Sequence, residues 1–564
     1  MPSGDSNYIT RLKNSCASFD IHGSSSRSSL VGTLDEIAAE LAGDENLRAR
    51  MGSEDVSLWS DIRKLWRDLV RAQLTFWDGD DDSDTEEIAS SEVKRNQSLS
   101  LLCVSLARFT RNLVAGVPQN QRRAYENEPE LRRLIHYYTS WSSMQDKDAL
   151  FAARLLTQTL SNLVTGNDAL MSNLWETYLS LPEDQVVIIR LLSSADNRTL
   201  LAVLVLIKSC INDSRTRTKM LTKTVIGVRI CVCLLDSMVK LYEEDENSDG
   251  GKAFDVGYHI FTRILEVGLV PDLYERLSIQ GEIVTPHQTT LMKIVDSYLQ
   301  SSPNGSPSSS PKIPKTHMKL IPMLADCFTS LSAYAQNAIR RALRPSPSEV
   351  ESPTSATFNP SVGPPAELDI MLPKVCETLV LVTQCIVTII LVSRGTYFRS
   401  TEAEGLEVFF REQHGGSAGF PENIIELLRL LDKFLPRINF GKPVEPSTLS
   451  TASTPTETQP PTSIATGGAG FSYLKRDLVR LLGILSHSNK AVQDRVRICG
   501  GIEVVMNLCV VDERNPYLRE HAIFTLHNLL RENPENQAVV EEIKPMGQWD
   551  TNGVLRDTPG AVRR

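Results

Sequence analysis

Much of what announces an enzyme or a membrane protein is missing from this chain of 564 residues. Neither a GxGxxG after a strand pattern nor a GxxxxGK[ST] occurs, and no strand-borne GxSxG elbow is expected, so the common nucleotide and hydrolase sites have no foothold. The ten cysteines are scattered without a CxxC, the nine histidines show no HxxxH or HExxH spacing, and the twelve methionines form no MxxM cluster. Cys231 and Cys233 are the one close pair, and on a helix their side chains point about 200° apart. The expectation is free, buried thiols in a reducing compartment, with no cofactor and no metal. Basic runs are absent too, which argues against a nucleic-acid partner.

Long hydrophobic runs are scarce. Met1–Asp20 has no apolar signal-peptide core, and the apolar, uncharged stretch Thr378–Ser393 has 16 residues with Gln384 and Cys385 inside it. A bilayer needs about 20, so this stretch is expected to be a buried helix rather than a span. The net charge of −10 rests on two solvated runs, Asp78–Glu87 with seven acidic residues and Glu243–Asp249 with five; setting those twelve aside leaves +2. Asp245–Gly250 has the D-x-N-x-D-G form of a calcium loop, but loop position twelve, where a bidentate Glu is needed, is Val256. The run from Asp78 fails in the same way, with Ser83 in place of Gly and Ala89 at position twelve.

What the chain does have is repetition. Asn112-Leu113-Val114-Ala115-Gly116-Val117-Pro118-Gln119-Asn120-Gln121 and Asn528-Leu529-Leu530-Arg531-Glu532-Asn533-Pro534-Glu535-Asn536-Gln537 share the form N-L-x-x-x-x-P-x-N-Q, and each follows an apolar-periodic run. A shift of 44 residues, the separation of Leu474 from Leu518, also lays Leu482 on Leu526, Leu485 on Leu529, Asn489 on Asn533, Gln493 on Gln537 and Val496 on Val540. That period lies in the armadillo/HEAT range of roughly 40–47 residues. One unit reads as three helices. Asn489–Cys499 is ended by Gly500-Gly501, Ile502–Val510 follows, and after a turn at Asp512–Asn515 a third helix runs to about Arg531. Pro516 is expected in the first turn of that helix, with Leu518, Ala522, Leu526 and Leu529 on one buried stripe. A fainter copy, Ala149–Val164, ends in Asn162-Leu163, with Asn167 five residues past the Asn. The fold class is therefore all-α, an armadillo-like solenoid with Ser/Thr/Pro-rich insertions.

Lys475-Arg476-Asp477-Leu478, Gln493-Asp494, Gly500-Gly501-Ile502, Asn515-Pro516-Tyr517-Leu518-Arg519-Glu520 and Glu532-Asn533-Pro534-Glu535-Asn536-Gln537 form an ordered series over about 70 residues. In that series the chain resembles the C-terminal domain of the ataxin-10 family, here residues 471–546. His521, where animal members carry Trp, and the long inserts are similar to a fungal member, a branch that includes a yeast protein associated with copper transport. The resemblance implies a cytoplasmic, non-enzymatic scaffold linked to cytokinesis and cell growth.

Composition divides the rest of the chain. Residues 1–29 are Ser-rich and expected to be disordered, 30–299 are helical repeats, and 316–344 and 366–440 are further helical segments. The Ser/Thr/Pro/Gly-dense stretches 301–315, 345–365 and 441–470 are expected linkers, because they cannot bury enough apolar surface to offset the entropy of ordering. A tail covers 547–564. One superhelix with three excursions is the expected arrangement, since a solenoid tolerates long outer loops. Two lobes hinged at 441–470 are the other.

Binding is expected at polar positions on the third helices. Asn112, Asn162 and Asn528 occupy matching N-L positions, where a carboxamide could grip the backbone of an extended peptide in the concave groove. Against that role, each Asn could close its own helix end, and the equivalent position one repeat before Asn528 is Ile484. Asn515, Arg519 and Glu520 join the candidates as exposed members of the family motif. The partners expected are other proteins, extended peptide segments among them, without membrane insertion and compatible with a homo-oligomer.

Overall fold

The computed structural model describes residues 4–54, 56–74, 86–143, 146–301, 315–343, 369–395, 408–412, 414–415, 418–439, 442–443, 471, 473–542, 547–549 and 555–557. The linkers expected at 301–315, 345–365 and 441–470 lie outside the described residues, apart from Ser301, Lys315 and the strand residues 442–443. The chain forms two compact units, Met1–Leu277 and Ser278–Arg564. Helices build both. Among the described residues the extended pieces are three hairpins with strands of two or three residues, which sequence patterning did not reveal: β1 (His414–Gly415) with β2 (Ala418–Gly419), β3 (Ile438–Asn439) with β4 (Lys442–Pro443), and β5 (Gly547–Trp549) with β6 (Leu555–Asp557). Strands this short make no sheet layer. The protein is an all-α armadillo-like solenoid.

The first unit opens with α1 (Gly4–Ala17) and α2 (Ser24–Gly43), helices where residues 1–29 were expected to be disordered, and then counts out helices in threes. The first triplet is α3 (Glu45–Glu54), α4 (Val56–Leu74) and α5 (Glu86–Val114); the second is α6 (Pro118–Ala124), α7 (Glu128–Tyr138) and α8 (Lys147–Val164). The third is α9 (Asp168–Ser180), α10 (Val187–Leu192) and α11 (Asn197–Ile211), and the fourth α12 (Arg215–Lys223), α13 (Val225–Leu241) and α14 (Asp249–Glu266), after which α15 (Val270–Arg276) begins anew. The polar breaks between apolar runs are N-caps: Asp146, Asn167, Asp196, Ser214, Thr224 and Ser248 each accept a bond from a backbone N–H in the following turn. Third helices stack in order, α2 on α5, α5 on α8, α8 on α11 and α11 on α14. Flanked on both sides, α11 buries Leu200, Val203, Leu204, Leu206 and Ile207, each burial contributing roughly 1.5–3 kcal/mol.

The second unit holds α16 (Pro286–Ser301), α17 (Lys315–Ala342), α18 (Leu372–Gly395), α19 (Phe420–Phe434), α20 (Leu474–Ser486), α21 (Lys490–Ile498), α22 (Gly501–Asn507), α23 (Leu518–Leu530) and α24 (Pro534–Glu542). Helix α18 contains the uncharged stretch. Over Leu372–Arg394 it is long and apolar enough to cross a membrane, yet 61 % of its apolar window is buried inside the fold, against α16, α17 and α20.

The last repeat follows the sequence reading with three differences. Asn489 caps α21, its Oδ1 accepting from Val492 N at 2.9 Å, and Gly500 takes the expected left-handed conformation at φ +67°. The second helix stops at Asn507 rather than Val510. Pro516 lies before the third helix, which starts at Leu518 after Tyr517 in the left-handed region at φ +65°. Asp512 is the cause: its carboxylate accepts from Arg514 N at 3.1 Å, from Ile438 N at 3.2 Å and from Asn515 Nδ2 at 2.8 Å, holding the turn open past the proline. Leu526 is only half-buried, and Thr525 takes the core position, facing Gly483 of α20.

Across the stretch 444–470 the fold is closed by side chains. Phe434 and Phe471 meet edge to face with centroids 5.9 Å apart. The buried Lys475 ammonium donates to Leu435 O at 2.9 Å and to Asp432 Oδ1 at 3.3 Å, and Glu513 N donates to Ile438 O at 3.0 Å. Burial pulls the Lys475 pKa down, while the Asp432 charge opposes that shift.

Candidate functional site

The N-L asparagines bond to the preceding third helix. Asn112 Nδ2 donates to Ala38 O of α2 at 2.8 Å, Asn162 Nδ2 to Arg111 O of α5 at 3.2 Å, and Asn528 Nδ2 to Gly483 O of α20 at 3.0 Å. Three residues upstream a threonine repeats the device: Thr159 Oγ1 donates to Ala107 O, and Thr525 Oγ1 to Val479 O, each at 3.0 Å. Asn112 and Asn162 are half-buried, whereas Asn528 is 3 % exposed, with His487 Nδ1 at 3.3 Å from its Oδ1. None of the three closes its own helix; each ties its helix to the one before.

The rest of the shared motif forms a lock. Asn120 Nδ2 donates to Leu113 O at 2.9 Å and Asn536 Nδ2 to Leu529 O at 2.8 Å, so each Asn fixes a new first helix to the end of the preceding third helix. In both units a glutamine on the first helix then clamps its own repeat: Gln121 Nε2 and Gln493 Nε2 each reach the Asn162 or Asn528 carbonyl at 2.9 Å. Asn167 Nδ2 and Asn533 Nδ2, from the next repeat, donate to the same glutamines at 3.3 and 3.1 Å.

Between the third helices of the first unit lies a cleft of about 640 Å³, lined from α5, α8, α11 and the start of α14. Its walls carry Arg108, Arg111, Arg154 and Arg198 against the single carboxylate of Asp249, with Gln158, Ser161 and Asn162 between them and Phe151 and Val205 as apolar contacts. Of the sequence candidates only Asn162 belongs to it. The arginines were missed, although the 44-residue shift that lays Leu474 on Leu518 also lays Arg154 on Arg198.

The remaining candidates, Asn515, Arg519 and Glu520, lie in the second unit. Asn515 is buried in the turn, bonded to Asp512, while Arg519 and Glu520 are exposed on α23 and make no hydrogen bond or ion pair among the described residues. Ile523 and Phe524, 49 % and 62 % exposed, share that outward half of the helix. Leu518, Ala522, Thr525, Asn528 and Leu529 form the buried half.

No group of three His, Cys, Asp or Glu side chains among the described residues is placed to hold a metal ion. Ser248 caps α14 and Asp249 begins it, so the Asp245 sequence runs straight into a helix rather than around a twelve-residue loop. Cys231 is buried beside Leu221 O at 3.7 Å, its thiol pushed up in pKa by burial. One GxSxG string does exist, Gly415-Gly416-Ser417-Ala418-Gly419. It falls at the β1–β2 hairpin, with Ser417 outside the described residues, and among the described residues no parallel sheet stands behind it to form an elbow.

A family model described as the spinocerebellar ataxia type 10 protein domain matches residues 474–561, starting at the first residue of α20. The C-terminal block is an ataxin-10 domain. Over 83 residues it is 42 % identical to the ataxin-10 homolog of Dictyostelium discoideum, a match covering 15 % of this chain and 14 % of that protein. Over 78 residues it is 33 % identical to ataxin-10 of Xenopus tropicalis, covering 14 % of this chain and 16 % of that one. The chain thus spans about one seventh of the length of these curated relatives. Among solved structures, a crystal structure of SYS-1 aligns over 94 % of both chains at 10 % identity with a TM-score of 0.31. Arg519, Glu520, Ile523 and Phe524 all belong to the ataxin-10 domain; the arginine cleft precedes it.

Proposed function

We propose that this chain is a non-catalytic cytoplasmic scaffold that binds other proteins through its helical repeats and serves cell division, in cytokinesis or polarised growth. The observation that carries the reading is the outward half of α23, where Arg519, Glu520, Ile523 and Phe524 stand exposed within the ataxin-10 domain. Two large apolar side chains beside two unbonded charges, on a helix whose other half is fully packed, suit a protein partner, because aromatic and apolar anchors ringed by polar groups dominate binding energies. The likeness of residues 474–561 to the ataxin-10 domain supports the division role that the family resemblance implies.

The test is affinity capture with the full chain and with Arg519→Ala, Glu520→Ala and Phe524→Ala, each with a thermal melt. Variants that melt like the parent but lose specific division-machinery proteins support the proposal. Variants that retain every partner, or that lose partners only because they unfold, sink it. Capture of transporters or metal chaperones instead would favour an adaptor for membrane-bound or copper-handling proteins that itself binds no metal, and a second copy of the chain among the captured proteins would indicate a homo-oligomer.

A further inference from the structure

The four guanidiniums in the cleft of the first unit are not equally satisfied. Arg198 Nε pairs with Asp249 Oδ2 at 2.8 Å, and Arg108 Nη1 with Asp35 Oδ1 of α2 at 2.7 Å. Arg154 has its nearest carboxylate, Asp196, at 3.8 Å, and lies over the Phe151 ring at 4.9 Å from its centroid. Arg111 has no carboxylate partner among the described residues. Its Nη1 donates to Gln158 Oε1 at 2.6 Å and its Nε to Asn112 Oδ1 at 3.1 Å, both neutral amides. It is half-buried, and burial together with the neighbouring Arg108 charge lowers its pKa. A guanidinium kept half out of water beside another cation, with only amides for company, is a costly arrangement unless an anion completes it.

We propose that this cleft binds an extended acidic segment of a partner protein, with Arg111 and Arg154 receiving its carboxylates. The inference rests on the scaffold reading but places a different partner surface in a different unit. Charge complementarity identifies the occupant: the lining sets four arginines against one aspartate, and guanidiniums bind carboxylates through paired N–H donors. Shape fixes the form. The lining crosses α5, α8 and α11, and neighbouring helices stand roughly 8–10 Å apart. The cleft therefore accommodates about six residues at roughly 3.3 Å each. Side chains of an extended segment alternate, so acidic residues on one side would meet the arginines while apolar residues on the other meet Phe151, 36 % exposed, and Val205, 40 % exposed. Asn162 lies in the same wall with its Nδ2 already committed to Arg111 O, which leaves its Oδ1 to accept a peptide N–H from the segment. A single-stranded nucleic acid would find cations here but only Phe151 as an aromatic platform on which to stack its bases.

The experiment uses the full chain and a fluorescein-labelled octapeptide alternating Glu with Leu or Val, read by fluorescence anisotropy. A Gln-for-Glu version and a labelled oligouridylate of twelve nucleotides serve as comparisons. The expected result is saturable binding of the acidic peptide, with a Kd at least about tenfold lower than for the Gln version, because each charge-assisted pair replaces a neutral one. Arg111→Gln and Arg154→Gln should each raise that Kd by about tenfold or more, with a salt dependence smaller than the parent's. Val205→Glu, at an exposed position, should raise it as well by placing a carboxylate in the peptide's path. Equal binding of the two peptides, indifference to all three substitutions, or tighter oligouridylate binding with the same arginine dependence would each overturn the proposal. The outcome is separable from that of the α23 surface, since partner capture that depends on Phe524 can persist while the octapeptide fails to bind, and the reverse.

Discussion

Gln493 carries more of the C-terminal repeat than its size suggests. Its Nε2 donates to Ser486 O at 3.2 Å and to Asn528 O at 2.9 Å, and its Oε1 accepts from Asn533 Nδ2, so three segments meet at one buried carboxamide. Gln493→Ala strands those groups inside the fold and should cost about 1–3 kcal/mol, read as a lower urea midpoint at unchanged m-value. Gln121 makes the corresponding bond to Asn162 O and a different second one, to Thr165 O at 2.8 Å, so Gln121→Ala should have a similar cost. His317 on α17 makes a different demand. It is 4 % exposed with its Nδ1 unbonded, and burial lowers its pKa to about 4. Unfolded, it takes up a proton near pH 6.5, so between about 6.5 and 4 the unfolded chain binds more protons and stability falls as pH drops, by up to about 3 kcal/mol. Above pH 6.5 the contribution is fully present. His317→Phe should flatten the fall in melting temperature over that window, and an unchanged slope would rule out this histidine as its source.

At the scale of elements, α20 and α23 approach closely because of one glycine. A Cβ on Gly483 would stand 2.4 Å from Thr525 Oγ1, in a pair where Thr525 and Asn528 both bond across to α20. Gly483→Ala should therefore destabilise by about 1–3 kcal/mol, although alanine is the better helix former, and thermal melts of Gly483→Ala, Thr525→Ala and the double variant should show non-additivity. Element boundaries were largely legible in the sequence. Asn489, Gly500 and the 44-residue shift placed the last repeat, because capping residues and left-handed glycines act locally. Pro516 was misplaced and Leu526 over-valued for the opposite reason. Asp512, reaching to Ile438, decides where α23 begins, and Gly483 decides which side chain fills the core; both are contacts between distant parts of the chain. The arginine cleft was hidden likewise, since its residues come from four helices and no single run is basic.

At the scale of the whole molecule, the tolerance of the chain for its insertions is testable. The stretches 301–315, 345–365 and 441–470, rich in Ser, Thr, Pro and Gly, should be the first sites of limited proteolysis, and mass spectrometry of the early fragments would place the cuts. First cuts inside α5, α11 or α18 would contradict that map. The third stretch has a property of its own. Lys475, the Phe434–Phe471 pair and the bonds around Ile438 join the two sides of 444–470 through side chains and backbone that do not depend on the intervening peptide. The covalent thread there is thus redundant: two polypeptides, one ending and the other beginning within 444–470, should assemble into the same solenoid without being linked, and another folded domain could be spliced into this stretch without disturbing either side.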